Sequence, residues 1–145
     1  MHPLVLRMPW KAGPASGASG PVIVSATRFE YRRRRDMPMV AFHGWRLRRA
    51  WGRRPGAIGL ITGNEPLGRV TYSLSVWTSE EDLRRFLRSP EHLKLMRGYK
   101  PRLTASTSLL WETDRFSPRS AWAEALERLT SSPAPPPRAG RETAR

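Results

Sequence analysis

Residues 69–96 read RVTYSLSVWTSEEDLRRFLRSPEHLKLM, and their pattern changes period once. In 69–78, Val70, Tyr72, Leu74 and Val76 alternate with Thr71, Ser73, Ser75 and Trp77, which predicts a strand. Ser79 then opens Ser-Glu-Glu-Asp, a helix start whose acids sit at the positive end of the helix dipole. Leu83, Phe86 and Leu87 form its buried stripe. Ser89-Pro90 restarts a second helix, with Ser89 as cap and Pro90 at the first position. Its inward stripe is His92, Leu95 or Met96, and Tyr99.

Upstream, residues 22–31 (VIVSATRFEY) are β-branched and aromatic and read as a strand. Ile23, Ser25, Thr27, Phe29 and Tyr31 fall on one face, and Val22, Val24, Ala26 and Arg28 on the other. An arginine-rich loop follows. Pro38 begins a helix that carries Val40, His43 or Gly44, Leu47 and Trp51 at helical spacing, and Gly52 with Pro55-Gly56 ends it. Residues 58–63 make a strand paired to 69–78 across the turn 64–68. Residues 103–113 (LTASTSLLWET) make the last strand, and 118–130 a final helix with Trp122, Ala125, Leu126 and Leu129 on one side. The order β-α-β-β-α-β plus a C-terminal helix is the split βαβ pattern, a ferredoxin-like α+β fold. Two helices cover one sheet face, so the other needs cover as well. Both faces of strands 69–78 and 103–113 are apolar or small, which predicts a second subunit there and a homodimeric α/β barrel.

The ends read differently from the middle. Residues 1–20 carry glycines and small residues without apolar periodicity, and 131–145 (SSPAPPPRAGRETAR) are Pro-rich and polar. Both are expected to be disordered tails around a domain at 21–130. The chain has no Cys, which excludes disulfides, thiolate metal sites and Cys nucleophiles. No apolar run approaches the roughly 18 residues of a membrane helix, and Pro3–Leu6 is too short for a signal peptide's apolar region; a cytoplasmic protein is expected. The formal charge of +14 is dominated by arginine, densest at Arg32–Arg35. It reads either as a surface for nucleic acid or an acidic partner or as a solvated basic face. No zinc finger, aromatic RNA-binding signature or GxxG loop supports nucleic acid, so that partner is not expected.

Gly13, Gly17 and Gly20 precede a strand, so no phosphate-binding glycine fingerprint exists. His2, His43 and His92 have no metal-ligand spacing within one helix, and no metal site is assigned. His92 is the leading candidate. It shares the inner helix face with Met96 and Tyr99, opposite Ser73, Ser75, Trp77, Ser106, Ser108 and Trp111. A neutral imidazole there suits a general base, a hydrogen-bond donor or a haem ligand. The alternative is a buried histidine satisfied by a serine or a carbonyl. His43 reads first as a histidine near the rim. The tryptophans are spread one per element, as in a core; Trp10 is assigned to the tail, and Trp77 and Trp111 remain candidates for a pocket wall.

The stretch 71–96, with its Ser75-Val76-Trp77 strand end, acid-rich helix start, Phe86, Ser89-Pro90-Glu91-His92 and Met96, resembles the antibiotic-biosynthesis-monooxygenase-like superfamily of dimeric α/β barrels. Within it, the resemblance is nearest to small proteins related to spheroidene monooxygenase. Arg54-Pro55-Gly56-Ala57 and Ser108-Leu109-Leu110-Trp111 also fit, and the likeness spans about residues 22–130. It implies a homodimer with a pocket between sheet and helices in each monomer, and His92 matches the recurring helix histidine. It further implies a tailoring enzyme, oxygenase-like or cyclase-type, acting on an aromatic, polyketide or polyene substrate. His92 would take the proton, and Tyr72 or a strand serine such as Ser73 would steady the oxyanion. Trp77, Trp111, Phe86, Met96, Tyr99 and His43 would contact substrate. Chemistry without a cofactor is the main expectation, and in a haem-using relative His92 would be the axial ligand. The competing reading is a non-catalytic dimeric module that presents its arginines to an acidic partner or nucleic acid; a small-ligand binding protein using the same pocket is a third.

Overall fold

The computed structural model describes residues 4–131. The arrangement follows from a four-stranded antiparallel sheet: β3 (Val22–Tyr31), β4 (Ala57–Asn64), β5 (Val70–Trp77) and β6 (Leu103–Thr113), in spatial order β4-β5-β3-β6. Two short strands, β1 (Leu6–Arg7) and β2 (Lys11–Ala12), pair with the outer edge of β4. The helices are α1 (Met37–Ala50), α2 (Glu80–Leu87), α3 (Pro90–Tyr99) and α4 (Pro118–Ser131). This is the ferredoxin-like α+β order expected from the sequence, with the C-terminal helix added.

The helix starts use the residues that the sequence marks. Ser79 Oγ accepts from Asp82 N, and Ser89 Oγ accepts from His92 N, with Pro90 at the first helical position of α3. Gly56 has φ +78, and a Cβ there would come within 2.3 Å of the Asp82 carboxyl, so the turn before β4 admits only glycine.

The N-terminal segment departs from the tail expected at 1–20. Residues 1–3 lie outside the described residues, but 5–15 are docked on the sheet, and 16–20 are exposed. Met8 N donates to Thr62 O at 2.8 Å, and Gly13 N to Ile58 O at 2.9 Å. The Trp10 ring lies over Gly59, where a Cβ would sit 1.9 Å from it, and 5.5 Å from the Phe116 ring. Such docking leaves no periodic signature, because its contacts are backbone hydrogen bonds to an open sheet edge and one aromatic ring. At the other end, α4 reaches Ser131, and the Pro-rich stretch expected as a tail lies outside the described residues.

A second correction concerns the sheet face assigned to a partner subunit. Val24, Ala26, Leu74 and Val76 are fully buried within the single chain, packed against Ala121, Trp122, Ala125 and Leu129 of α4, with Val5 and Trp10 beside them. The cover that this face needs is supplied by the chain itself.

On the opposite face the core is divided. Trp51, Leu60, Trp77 and Leu83 pack at one end, and Tyr31, Val40 and Tyr99 at the other. Between these clusters the helices stand off the sheet.

Candidate functional site

The gap between the two clusters is a cleft of about 1260 Å³, walled by α1 and by α2–α3. Its floor is polar: Ser25 and Thr27 of β3, Thr62 of β4, and Thr71, Ser73 and Ser75 of β5 all line it. These positions point toward the helices because strand side chains alternate, and the residues between them point to α4.

His92 lines this cleft as the third residue of α3. Its Nδ1 lies 3.1 Å from the Leu87 carbonyl oxygen, and its ring is 4.9 Å from that of Phe86. A carbonyl can only accept, so in the neutral imidazole Nδ1 carries the proton and Nε2 keeps its lone pair. Burial, and secondarily the Arg54 guanidinium, depress the His92 pKa below its ordinary value against the opposing pull of the Leu87 hydrogen bond. The imidazole is therefore neutral at pH 7 and able to accept a proton.

At the far end, His43 of α1 and Tyr99 of α3 meet, with Nδ1 3.1 Å from the phenol oxygen. The Tyr99 ring packs edge-on against Tyr31 at 5.8 Å, and the Tyr31 hydroxyl lies 3.3 Å from Thr71 Oγ1. Burial raises the pKa of both phenols, Tyr31 to about 12. They serve as hydrogen-bonding groups, not as ionised phenolates.

The structure brings His92, Ser73, Phe86, Met96, Tyr99 and His43 to one cleft. Three expected residues take other places. Tyr72 alternates away from Thr71 and Ser73; its side chain is buried in the α4-side core, its hydroxyl donates to Glu65, and burial followed by that carboxylate pushes its pKa up to about 12. Trp111 packs on the same α4 face, 5.1 Å from the Arg128 guanidinium, because it pairs in register with Val24. Trp77 lies beneath the cleft wall, completely buried against Trp51 and Phe86, and its Nε1 donates to Ser75 Oγ at 2.9 Å. It fixes a floor hydroxyl and is not itself a wall. Ser106 and Ser108 are exposed on β6, beyond the helices.

Sequence reasoning missed Arg48, Trp51 and Arg54 as lining residues. Arg48 and Trp51 stand three apart where α1 runs into a 3-10 turn, a spacing that was readable, whereas Arg54 follows that turn in extended backbone and carries no such signal. Sequence reasoning also put Trp45 in the core, whereas Trp45 is 51% exposed and stacks on Phe42 at the cleft mouth. Among the described residues no three His, Asp or Glu side chains converge on a metal position. No helix among them is long and apolar enough to cross a membrane.

The ferredoxin-like fold is shared with solved structures described as related to antibiotic biosynthesis monooxygenases. No family model and no curated protein matches the sequence. Among solved structures the chain is similar to SnoaB, a cofactor-independent oxygenase from Streptomyces nogalater, with a TM-score of 0.53, 20% identity, and coverage of 67% of this chain and 97% of that one. It is similar to a dimeric ferredoxin-like protein of unknown function from Thermobifida fusca, with a TM-score of 0.54, 14% identity, and coverage of 65% and 92%. A hydroxynitrile lyase from Passiflora edulis matches with a TM-score of 0.52, 14% identity, and coverage of 67% and 97%. A monooxygenase candidate from Lactobacillus acidophilus also matches, with a TM-score of 0.54 and 10% identity over 61% of this chain, which spans only 43% of that protein. At these identities the likeness is one of fold, and it does not reach the narrower resemblance to spheroidene monooxygenase-related proteins.

Proposed function

We propose that the chain is a tailoring enzyme of the monooxygenase-like or cyclase type, which removes a proton from an aromatic, polyketide or polyene substrate held in the cleft. One observation carries this reading: His92 is held by the Leu87 carbonyl so that a neutral imidazole keeps its Nε2 lone pair. Nε2 takes the proton, and the electron pair moves onto a substrate oxygen. Floor hydroxyls then steady the oxyanion; Ser73 and Ser75 are placed to do this, whereas the Tyr72 hydroxyl is turned to the α4 side and donates to Glu65. Ser75 is oriented for the role by the Trp77 hydrogen bond. Phe86 and Met96 supply apolar contact for a flat ring. A cytoplasmic setting and a homodimer belong to the same proposal, the dimer using a surface other than the one α4 covers.

The test is exchange of the acidic C–H of an electron-rich polycyclic phenol with deuterium in D₂O, followed by mass spectrometry with and without protein. Catalysed exchange that disappears in His92→Gln supports the reading, and exchange at the uncatalysed rate refutes it. An absorption spectrum of the purified protein settles whether the same Nε2 serves as a haem ligand, since bound haem would give a Soret band. A non-catalytic role for the arginine surface predicts instead nucleic-acid binding that falls steeply between about 50 and 200 mM salt. That surface is partly committed to the fold already, with Arg34 donating to the Leu67 carbonyl at 3.0 Å.

A further inference from the structure

The end of α1 and the residues after it carry a group of donors that the proton-transfer reading leaves unused. Every arginine between 46 and 54 lines the cleft, with Lys94 and Arg102 across from them, and Glu91 is the one acid among the lining residues. Three side-chain nitrogens in this stretch are buried and find no acceptor: Arg48 Nε, Trp51 Nε1 and Arg54 Nε. Trp51 is completely buried, so its indole N–H has no water to turn to either. Buried donors are ordinarily paired, and three missing partners within seven residues describe an acceptor that comes from outside.

The surroundings define that acceptor. The Arg54 guanidinium is stacked 4.9 Å from the Phe86 ring centroid, which fixes its plane, and its outer edge meets Glu91 at 3.5 Å. Arg48 is tied at its far end to the Pro9 carbonyl at 3.0 Å. Both arginines are thus held in place, and guanidinium groups held in place select planar oxyanions. Phe86 and the His92 ring beside it supply flat apolar contact for a ring joined to that oxyanion.

We infer that the Arg48–Trp51–Arg54 face is a carboxylate subsite, and that the ligand of the cleft is an aromatic carboxylate. The inference rests on the reading of the cleft as an aromatic-substrate pocket and adds the charged group by which the substrate is oriented. With its carboxylate on the arginines, the ring of such a ligand lies against Phe86 and His92.

The test compares anthraquinone-2-carboxylate with its neutral carboxamide, read as quenching of tryptophan fluorescence in the full chain. The carboxylate should bind about tenfold tighter or better, the range of a charge-assisted hydrogen bond. Arg54→Gln and Arg48→Gln should each shrink that ratio, and the double variant should shrink it more than either. Trp51→Phe keeps the ring packing and removes only the N–H; it should lower the ratio several-fold, and it keeps the test sound should an arginine variant fold poorly. Arg119→Gln, on α4 across the sheet, removes the same unit of charge and should leave the ratio unchanged, which separates a subsite from general attraction to a basic protein. Equal binding of the two probes in the unaltered protein overturns the carboxylate subsite and leaves the aromatic pocket standing. A preference undiminished in the double variant overturns the assignment to these residues. Binding of neither probe overturns the pocket and the subsite together.

Discussion

His92 Nδ1 and the Leu87 carbonyl oxygen are 3.1 Å apart, joining the start of α3 to the last residue of α2. The turn between these helices is set by the Ser89 cap and by Pro90, so imidazole orientation follows from backbone already fixed by capping. Beyond that bond the ring packs on Phe86 at 4.9 Å.

His92→Gln should therefore fold with a melting temperature within a few degrees of the parent. Glutamine keeps a donor for Leu87 but has no basic nitrogen near neutral pH. Catalysed exchange should fall by about 10²–10⁴-fold, the usual contribution of a positioned base. Thermal denaturation and exchange measured on one sample check both statements, and full activity in the variant would remove His92 from the mechanism.

The pH dependence follows from the direction of the His92 shift. The folded pKa is depressed, so the unfolded chain takes up its proton first as pH falls. The contribution to stability is present above the unfolded value of about 6.5 and is lost as pH drops through the folded pKa. Activity should also fall on the acid side, with a midpoint below 6.5. A pH–rate profile with its acid limb above 7 would contradict the geometry, and His92→Gln should flatten the stability difference between pH 5 and 7.

Docking of the N-terminal segment can be weighed by one residue. Trp10→Ala strips a half-buried ring from Gly59 and Phe116 and should cost about 2 kcal/mol, somewhat less than a fully buried tryptophan. At this chain length that lowers the melting temperature by roughly 6 °C. Gly59→Val should do at least as much, since its Cβ would enter the Trp10 ring. Unchanged melting in both variants would mean that residues 4–20 contribute nothing to stability.

Removal of α4 should change association more than secondary structure. A chain ending at Ser117 would expose Val24, Leu74 and Val76 across the sheet face, an apolar patch of the kind that recruits another copy or aggregates. Light scattering should show a larger mass for the truncated chain than for the full one. Equal masses at equal concentration would show that α4 is not the cover of this face.

The β-α-β-β-α-β order was legible in residues 22–113 because each element carries its own period, cap or breaker, all of them local properties of the chain. The cap of α3 and the inward setting of His92, Met96 and Tyr99 were legible for the same reason. Alternation along β5 even separates Tyr72 from Ser73, and it was the choice of Tyr72 for an oxyanion role that overrode it. What the sequence left open was which surfaces meet. Burial of the apolar sheet face demanded a cover, but periodicity cannot say whether a second subunit or the chain's own α4 supplies it. The docking of Trp10 on Gly59, the pairing of His43 with Tyr99 across 56 residues, and the cleft between two aromatic clusters depend on the distance between elements. That distance is fixed only when side chains from α1, α3 and the sheet pack at once, so tertiary structure alone decided it.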